Sequence, residues 1–238
     1  MRNIVIAIDG FSACGKSSTA KAVAAILNYN YIDTGAMYRA VTYYFIENYI
    51  NYTNPKEVRR ALDQIHIDFV FNTKLGASET YLNGLNVEKE LRSMEVSNLV
   101  SEVSTIAEVR SAMVAQQRKM GKKKGIVMDG RDIGTTVFPN AELKIFMKAD
   151  FNTRAARRQK ELLETDQLID LADVMENLQK RDLIDTTRKE SPLKKAEDAL
   201  EIDTTHLTFE EQVEEILYEA AGKMIDDPKL GEQKIAIQ

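Results

Sequence analysis

The sequence is short of the residues that build disulfides and zinc sites. Its 238 residues include one cysteine, Cys14, two histidines and no tryptophan. One cysteine cannot form a disulfide within the chain, and one cysteine with two histidines supplies too few ligands for a zinc cluster. Chains without disulfides are typical of the reducing cytoplasm, so we expect a cytoplasmic protein.

Long apolar runs and an excess of positive charge are also missing. No apolar run approaches the roughly 20 residues that span a bilayer, and the N-terminus enters a strand without a cleavable signal pattern. The net charge of −5 argues against a nucleic-acid binder that works through bulk charge. The expected partners are small molecules, with no membrane and no nucleic acid, and we expect a monomer.

The N-terminal stretch carries the most specific signal in the chain. Residues 4–8 are apolar and mostly β-branched, which predicts a short buried strand. They lead into Gly10-Phe11-Ser12-Ala13-Cys14-Gly15-Lys16-Ser17-Ser18, which has the G-x-x-x-x-G-K-[ST] pattern of a phosphate-binding loop. The N–H groups of such a loop and the N-terminus of the helix predicted at 16–27 attract phosphate. We expect a bound nucleotide, with Lys16 at its β- and γ-phosphates and the Ser17 hydroxyl on Mg²⁺.

Strands and helices alternate along most of the chain. After the first helix, further strands are predicted at 29–33, 126–129, 143–147 and 199–204. Strands joined by helices favour a parallel sheet that is covered on both faces. We therefore predict an α/β fold, a three-layer α/β/α sandwich with a five-stranded parallel sheet of the P-loop NTP hydrolase type.

An antiparallel insert interrupts this alternation. Residues 66–71, 79–82 and 85–87 have strand-like patterns, and Asn83-Gly84 is a strong signal for a tight hairpin turn. We predict a small antiparallel β subdomain at about 63–90, which would lie above the substrate-binding side of the core.

One long helix is predicted over residues 92–120, because apolar residues recur there at three- and four-residue steps. Ser101 and Arg110 lie off this apolar stripe. The core of the predicted fold then comprises residues 1–62, 91–149 and 197–225, followed by a polar tail at 226–238.

An arginine-rich segment at about 150–196 lies between the last two core strands. Arg154, Arg157 and Arg158 fall on one face of a predicted helix, and a second helical stretch covers 170–182. Low hydrophobicity and several arginines suit a mobile helical lid that closes on phosphates.

The distribution of arginine indicates what the bound phosphates do. Arginines occur at four separate places: Arg39, Arg131, the group at 154–158, and Arg181 with Arg188. A hydrolase needs a group that positions water, and a kinase that acts on an alcohol usually carries a carboxylate base. A phosphate acceptor is already an anion and needs charge neutralisation and in-line positioning, which arginines and Mg²⁺ supply. The pattern therefore favours phosphoryl transfer onto a phosphate.

Four segments together resemble the bacterial cytidylate kinases. They are the loop 10–18, Asp33-Thr34-Gly35-Ala36-Met37-Tyr38-Arg39, Asp129-Gly130-Arg131-Asp132-Ile133-Gly134-Thr135, and Arg181-Asp182 with Asp185 and Arg188. Their order and spacing match over about residues 3–222. The resemblance implies a nucleoside monophosphate kinase with a core, an insert and a lid. It further implies that ATP, with Mg²⁺, phosphorylates CMP and dCMP to the diphosphates in pyrimidine nucleotide metabolism.

The resemblance also implies roles for single residues. The loop 10–18 would hold the ATP phosphates, and Arg154, Arg157 and Arg158 would lie over the transferring phosphoryl group. The implied substrate-binding residues are Arg39, Arg131 and Arg188 for the CMP phosphate, Ser101, Arg110 and Asp132 for cytosine, Arg181 and Asp185 for the ribose, and Thr34 and Tyr38 beside them. The implied catalytic residues are Lys16, Arg131, Arg157, Arg158 and Arg188.

Two other functions are compatible with a phosphate loop. One is a kinase that acts on the hydroxyl group of a metabolite, against which the inserted sheet and the Asp-Gly-Arg-Asp loop argue. The other is a nucleotide-binding regulatory module without turnover, against which the full set of lid arginines argues. ATP consumption with and without CMP, in a screen of acceptors, separates the three.

Overall fold

The computed structural model describes residues 2–72, 77–164 and 166–225, so the predicted tail at 226–238 lies outside the described residues. The strands are β1 (Val5–Gly10), β2 (Asn30–Asp33), β3 (Ile67–Asn72), β4 (Ala77–Leu82), β5 (Leu85–Asn86), β6 (Ile126–Gly130), β7 (Leu143–Lys148) and β8 (Leu200–Asp203). The helices are α1 (Lys16–Leu27), α2 (Thr34–Glu47), α3 (Pro55–Leu62), α4 (Met94–Val103), α5 (Ala107–Met120), α6 (Phe151–Leu163), α7 (Leu171–Thr187) and α8 (Phe209–Met224). Among the described residues, no helix combines the length and apolar character that crossing a membrane requires.

A five-stranded parallel sheet in the order β2-β6-β1-β7-β8 forms the centre of the molecule. All residues of the middle strand, β1, are buried, as expected of a strand that is covered on both faces. One apolar cluster packs α2 and α5 against one face, and a second packs α1 and α8 against the other. The predicted three-layer sandwich is confirmed.

Strands β3, β4 and β5 form a separate antiparallel sheet. The turn between β4 and β5 is Asn83-Gly84, with φ values of 49° and 82°. Two positive φ values are what a two-residue type I′ hairpin requires, and asparagine followed by glycine adopts them at little cost. The predicted antiparallel sheet and its hairpin are therefore confirmed.

The single helix predicted over 92–120 is wrong, because α4 and α5 are separate helices. At the break, Ser104 Oγ donates to the carbonyl oxygen of Ser101 and Thr105 Oγ1 donates to that of Glu102, each over 2.7 Å. Hydroxyl groups that bond to nearby carbonyls compete with the helical backbone pattern. The apolar periodicity continues across the break and therefore did not reveal it.

The arginine-rich segment folds into α6 and α7, which lie between β7 and β8 in the chain. The second helix was predicted to end at 182 and this end is wrong, since α7 continues to Thr187. A small apolar core of Ala155, Leu162, Val174 and Leu178 holds the two helices together. The division of the chain into core, insert and lid stays a prediction.

Candidate active site

A cleft of about 780 Å³ lies at the carboxyl edge of the five-stranded sheet, where open parallel sheets bind their ligands. Its walls come from the loop after β1, the start of α2, α4, the loop after β6, and the helices α6 and α7. The predicted site residues that line it are Ser12, Ala13, Gly15, Lys16, Ser17, Ser18, Thr34, Tyr38, Arg39, Ser101, Arg131, Asp132, Arg157, Arg158, Arg181, Asp185 and Arg188.

The loop after β1 is tightly curled. A Cβ atom on Gly10 would lie 2.0 Å from the carbonyl oxygen of Met147, and Gly15, which precedes α1, has a φ of 94°. Both positions therefore require glycine. The curl places the N-terminus of α1 at the cleft, where its partial positive charge can attract phosphate.

Lys16 begins α1 and is buried within the loop. Its Nζ donates to the carbonyl oxygen of Phe11 and lies 3.6 Å from Cys14 Sγ. Burial lowers the pKa of Lys16, and the charge of Arg131 lowers it further. A buried ammonium group is stabilised by an anionic partner, so this lysine is poised for the phosphates of a nucleotide.

Three oxygen-bearing side chains meet at the end of β6, beside the phosphate loop. Ser17 Oγ donates to Asp129 Oδ2 over 2.8 Å, and Tyr31 Oη donates to Asp129 Oδ1 over 2.9 Å. Burial raises the pKa of Asp129, and the negative charge of Asp33 raises it further. The loop pattern predicts only Ser17 as a metal ligand, so Asp129 and Tyr31 are not among the predicted site residues. The signal for Asp129 was present, because an aspartate that ends an apolar core strand is the Walker-B position of phosphate-loop enzymes.

Asp132 and Arg110 form a buried ion pair beside the cleft. Arg110 Nη2 donates to Asp132 Oδ2 over 2.5 Å, and Arg110 Nη1 donates to the carbonyl oxygen of Ser104. The guanidinium carbon of Arg110 also lies 5.7 Å from the ring centroid of Tyr38. Helix α5 thus brings Arg110 to the loop after β6, where it bonds to Asp132 without lining the cleft itself, while Ser101 on α4 lines the cleft.

Arg131 and Arg188 share the carboxylate of Asp185. Arg131 Nε donates to Asp185 Oδ2 over 2.8 Å, and its Nη2 donates to Ser12 Oγ over 2.7 Å. Arg188 Nη1 lies 3.6 Å from Asp185 Oδ1, and its Nη2 lies 3.5 Å from Asp132 Oδ1. Burial acts to raise the pKa of Asp185, but the nearby arginines hold it below its ordinary value. The two carboxylates therefore hold both guanidinium groups in place at the cleft.

Three predicted substrate-binding side chains carry buried polar atoms without a hydrogen-bond partner among the described residues: Tyr38 Oη, Arg39 Nε and Arg181 Nε. Burial and, to a smaller extent, the positive charge of Arg131 lower the pKa of Arg181 to about 9. Buried donors and crowded positive charges are unfavourable without an acceptor. This part of the cleft therefore fits an anionic, polar ligand.

The arginines of α6 that line the cleft are already bonded to protein groups. Arg157 Nη2 donates to the carbonyl oxygen of Thr204 over 2.7 Å. Arg158 Nη1 donates to Glu161 Oε2 over 2.9 Å. Both side chains belong to α6 and line the cleft, so a phosphate that enters it competes with these partners.

Arg154 has different surroundings, although it lies on the same helix. Its Nη1 donates to Asp182 Oδ2 over 2.7 Å and to the carbonyl oxygen of Ser12 over 3.3 Å, and its guanidinium carbon lies 5.1 Å from the ring centroid of Phe11. Arg154 thus joins the phosphate loop to α7, and its contact with ATP stays a prediction. The predicted site residues that do not line the cleft are Gly10, Phe11, Cys14, Arg110 and Arg154.

The chain is similar over nearly its whole length to known proteins. The family model described as Cytidylate kinase matches residues 6–221. A cytidylate kinase of Cytophaga hutchinsonii is 65% identical, with 95% of this chain and 97% of the relative covered. One of Flavobacterium psychrophilum is 54% identical, with 91% and 97% covered. Among solved structures, the crystal structure of an uncharacterized protein from Eubacterium ventriosum is 14% identical and has a TM-score of 0.50. The match covers 92% of this chain and 99% of that protein's chain, and it supports the fold alone. The chain therefore belongs to the cytidylate kinase family of nucleoside monophosphate kinases.

Proposed function

We propose that this protein transfers the γ-phosphoryl group of ATP to CMP or dCMP, giving ADP and CDP or dCDP. Membership of the cytidylate kinase family supports the reaction, and the buried pair of Asp132 and Arg110 supports the choice of base. Cytosine carries an exocyclic amino group, which donates, beside the acceptors N3 and O2. A carboxylate accepts from the amino group, and a guanidinium group donates to the acceptors. With Ser101 on the wall of the cleft, these side chains are our proposed cytosine site.

The acceptor phosphate is assigned to the arginines beside this base site. Arg39, Arg131 and Arg188 bind it in our proposal, and the unpaired donor on Arg39 and the charge of the other two support this. Arg181 and Asp185 contact the ribose, and Thr34 and Tyr38 complete the wall. Because the acceptor is an anion already, the chemistry requires no general base.

The donor side is assigned to the phosphate loop and the lid. The loop 10–18 holds the ATP phosphates, and the buried Nζ of Lys16 neutralises charge on the group in transfer. Arg157 and Arg158 act from α6, exchanging Thr204 and Glu161 for phosphate oxygens. These residues stabilise the transition state by charge and position rather than by proton transfer.

Ser17 and Asp129 fit the Mg²⁺ ion that accompanies ATP. Among the described residues, no group of three or more His, Cys, Asp or Glu side chains gathers as a metal cage. Mg²⁺ on a nucleotide needs only one or two protein oxygens, since phosphates and waters fill its other positions. Ser17 Oγ and Asp129 Oδ2 supply such oxygens, 2.8 Å apart at the start of α1. Bound there, the ion would supply positive charge to the β- and γ-phosphates.

The test is release of ADP from ATP with each of CMP, dCMP, UMP, AMP and GMP as the acceptor. We expect the highest kcat/KM for CMP or dCMP, and no turnover without an acceptor. Equal use of UMP, or steady ATP hydrolysis that no monophosphate stimulates, would contradict the proposal. That the protein is a cytoplasmic monomer that binds no nucleic acid stays a prediction, for which its single cysteine and its net charge of −5 are the partial support.

A further inference from the structure

We propose that Asp9 is a positioning residue that fixes the base-reading carboxylate of Asp132, an inference that rests on the function proposed above. Asp9 directly precedes Gly10 at the end of β1 and is 4% exposed. Its carboxylate crosses to the loop after β6. Asp9 Oδ1 accepts from the N–H of Ile133 over 2.8 Å, and Oδ2 accepts from the N–H of Gly134 over 2.7 Å. One side chain therefore joins the phosphate loop to the loop that carries Asp132.

These two N–H groups begin the short π-helical turn Ile133–Val137, whose capping residue is Asp132. The first N–H groups of a helical turn have no partner within it, and an aspartate at the capping position usually accepts from one of them. The carboxylate of Asp132 makes no such bond and accepts from Arg110 instead. Asp9 supplies the cap from the neighbouring strand, and Asp132 is therefore available to the base.

Loss of an acceptor at Asp9 would give Asp132 a second partner. Without Asp9, the N–H of Gly134 would be unpaired. Gly134 is the second residue of the turn, and its N–H is one to which a capping aspartate ordinarily bonds. A carboxylate that turns toward this N–H moves away from Arg110 and from the amino group of cytosine. The expected consequence is a loss of discrimination between cytosine and uracil, and not only a loss of rate.

The variant Asp9→Asn tests this, because it keeps the size of the side chain and replaces one acceptor oxygen by an amino donor. At about pH 8, where the carboxylate of Asp9 is ionised, we would measure kcat/KM for CMP and for UMP in the wild type, in Asp9→Asn and in Asp63→Asn, a control at an exposed aspartate. The ratio of kcat/KM for CMP over that for UMP is expected to fall about tenfold or more in Asp9→Asn, because Asp132 moves away from the amino group of cytosine. A merely structural effect would lower both efficiencies by the same factor. It is expected to be unchanged in Asp63→Asn.

The outcomes separate the inference from the function on which it rests. A wild type without preference for CMP would overturn the proposed function. A wild-type preference that Asp9→Asn retains, with both efficiencies lowered in proportion, would overturn the role of Asp9 alone. If Asp9→Asn does not fold, Asp9→Glu decides, because it keeps both acceptor oxygens but moves them by the length of one methylene group relative to the N–H groups of Ile133 and Gly134. A lowered ratio in that variant supports the role of Asp9, and an unchanged ratio overturns it.

Discussion

Ser17 Oγ donates to Asp129 Oδ2 across 2.8 Å, so the first turn of α1 and the end of β6 meet at one point of the cleft. The sheet explains the meeting, because β1 and β6 are parallel neighbours and Ile8 is paired with Asp129. Tyr31, on the next strand over, donates to the other oxygen of the same carboxylate. Three adjacent strands therefore orient one carboxylate toward the phosphate loop.

This contact predicts how the enzyme depends on magnesium. In Asp129→Asn, the Mg²⁺ concentration for half-maximal activity is expected to rise about 10- to 100-fold, because a side chain that we propose for the metal site loses its charge. The measurement is activity against Mg²⁺ at saturating ATP and CMP, with Mn²⁺ binding to the ATP complex followed by electron paramagnetic resonance. Asp63→Asn is the control, and an unchanged Mg²⁺ dependence in a folded Asp129→Asn would remove Asp129 from the metal site.

Lys16→Ala is expected to lower kcat by about 100-fold or more while the protein stays folded. The loss follows because the positive charge of the buried Lys16 is proposed to stabilise the phosphoryl group during its transfer. Turnover and the melting temperature are measured together. Near-normal turnover in the folded variant would contradict the assignment of the phosphate loop.

For the proposed lid, Arg157→Ala and Arg158→Ala are each expected to lower kcat far more than they raise the KM for CMP. Groups that act only in the transition state leave this signature. Arg60→Ala, at an exposed arginine of α3, is the matched control and is expected to be silent. If both lid variants change only the KM, Arg157 and Arg158 are surface charges that assist binding.

The burial of Asp9 predicts a pH dependence of stability. Burial raises the pKa of Asp9 from 3.8 to about 7. The charge of Asp132 adds to this rise, whereas the N–H groups of Gly134 and Ile133 and the charge of Lys16 partly oppose it. Between these values the folded protein keeps a proton that the unfolded chain releases, so stability falls as the pH rises. The full shift corresponds to about 4 kcal/mol.

The difference in unfolding free energy between the wild type and Asp9→Asn isolates this effect, because the variant has no titrating group at the site. From urea unfolding, the wild type is expected to lose stability relative to the variant between about pH 4 and about pH 7, with no further loss above about pH 8. A difference that does not change with pH would show that Asp9 is not protonated in the folded protein.

The sequence was sufficient for the core of the fold because local and global signals agree there. Alternating residues of β1 face opposite clusters, Val5 and Ala7 to one side and Ile6 and Ile8 to the other, so a continuous apolar run was the correct signature of a covered parallel strand. The loop at 10–18 was equally predictable, because close packing and positive φ restrict two of its positions to glycine.

Features that depend on three-dimensional packing were not predictable in this way. The end of α4 depends on hydroxyl groups that bond backward to carbonyls, which apolar periodicity does not record. Arg154 has the same sequence spacing as its neighbours on α6, yet it turns to Asp182 and Phe11 rather than to the cleft. Asp9 caps a turn that lies more than 120 residues away, as its separations of 124 and 125 residues from Ile133 and Gly134 show.

The central claim is that Asp132 reads cytosine with Arg110, and one ratio tests it most directly. In the wild type, kcat/KM for CMP is expected to exceed that for UMP by about two orders of magnitude or more, because uracil presents an oxygen to the carboxylate and a donor to the arginine. Asp132→Ala is expected to reduce the CMP value strongly and the UMP value much less, so that the ratio narrows, while Asp63→Ala leaves it unchanged. If Asp132→Ala lowers both values together and keeps the ratio, Asp132 supports the structure or the phosphate, and the account of base recognition is contradicted.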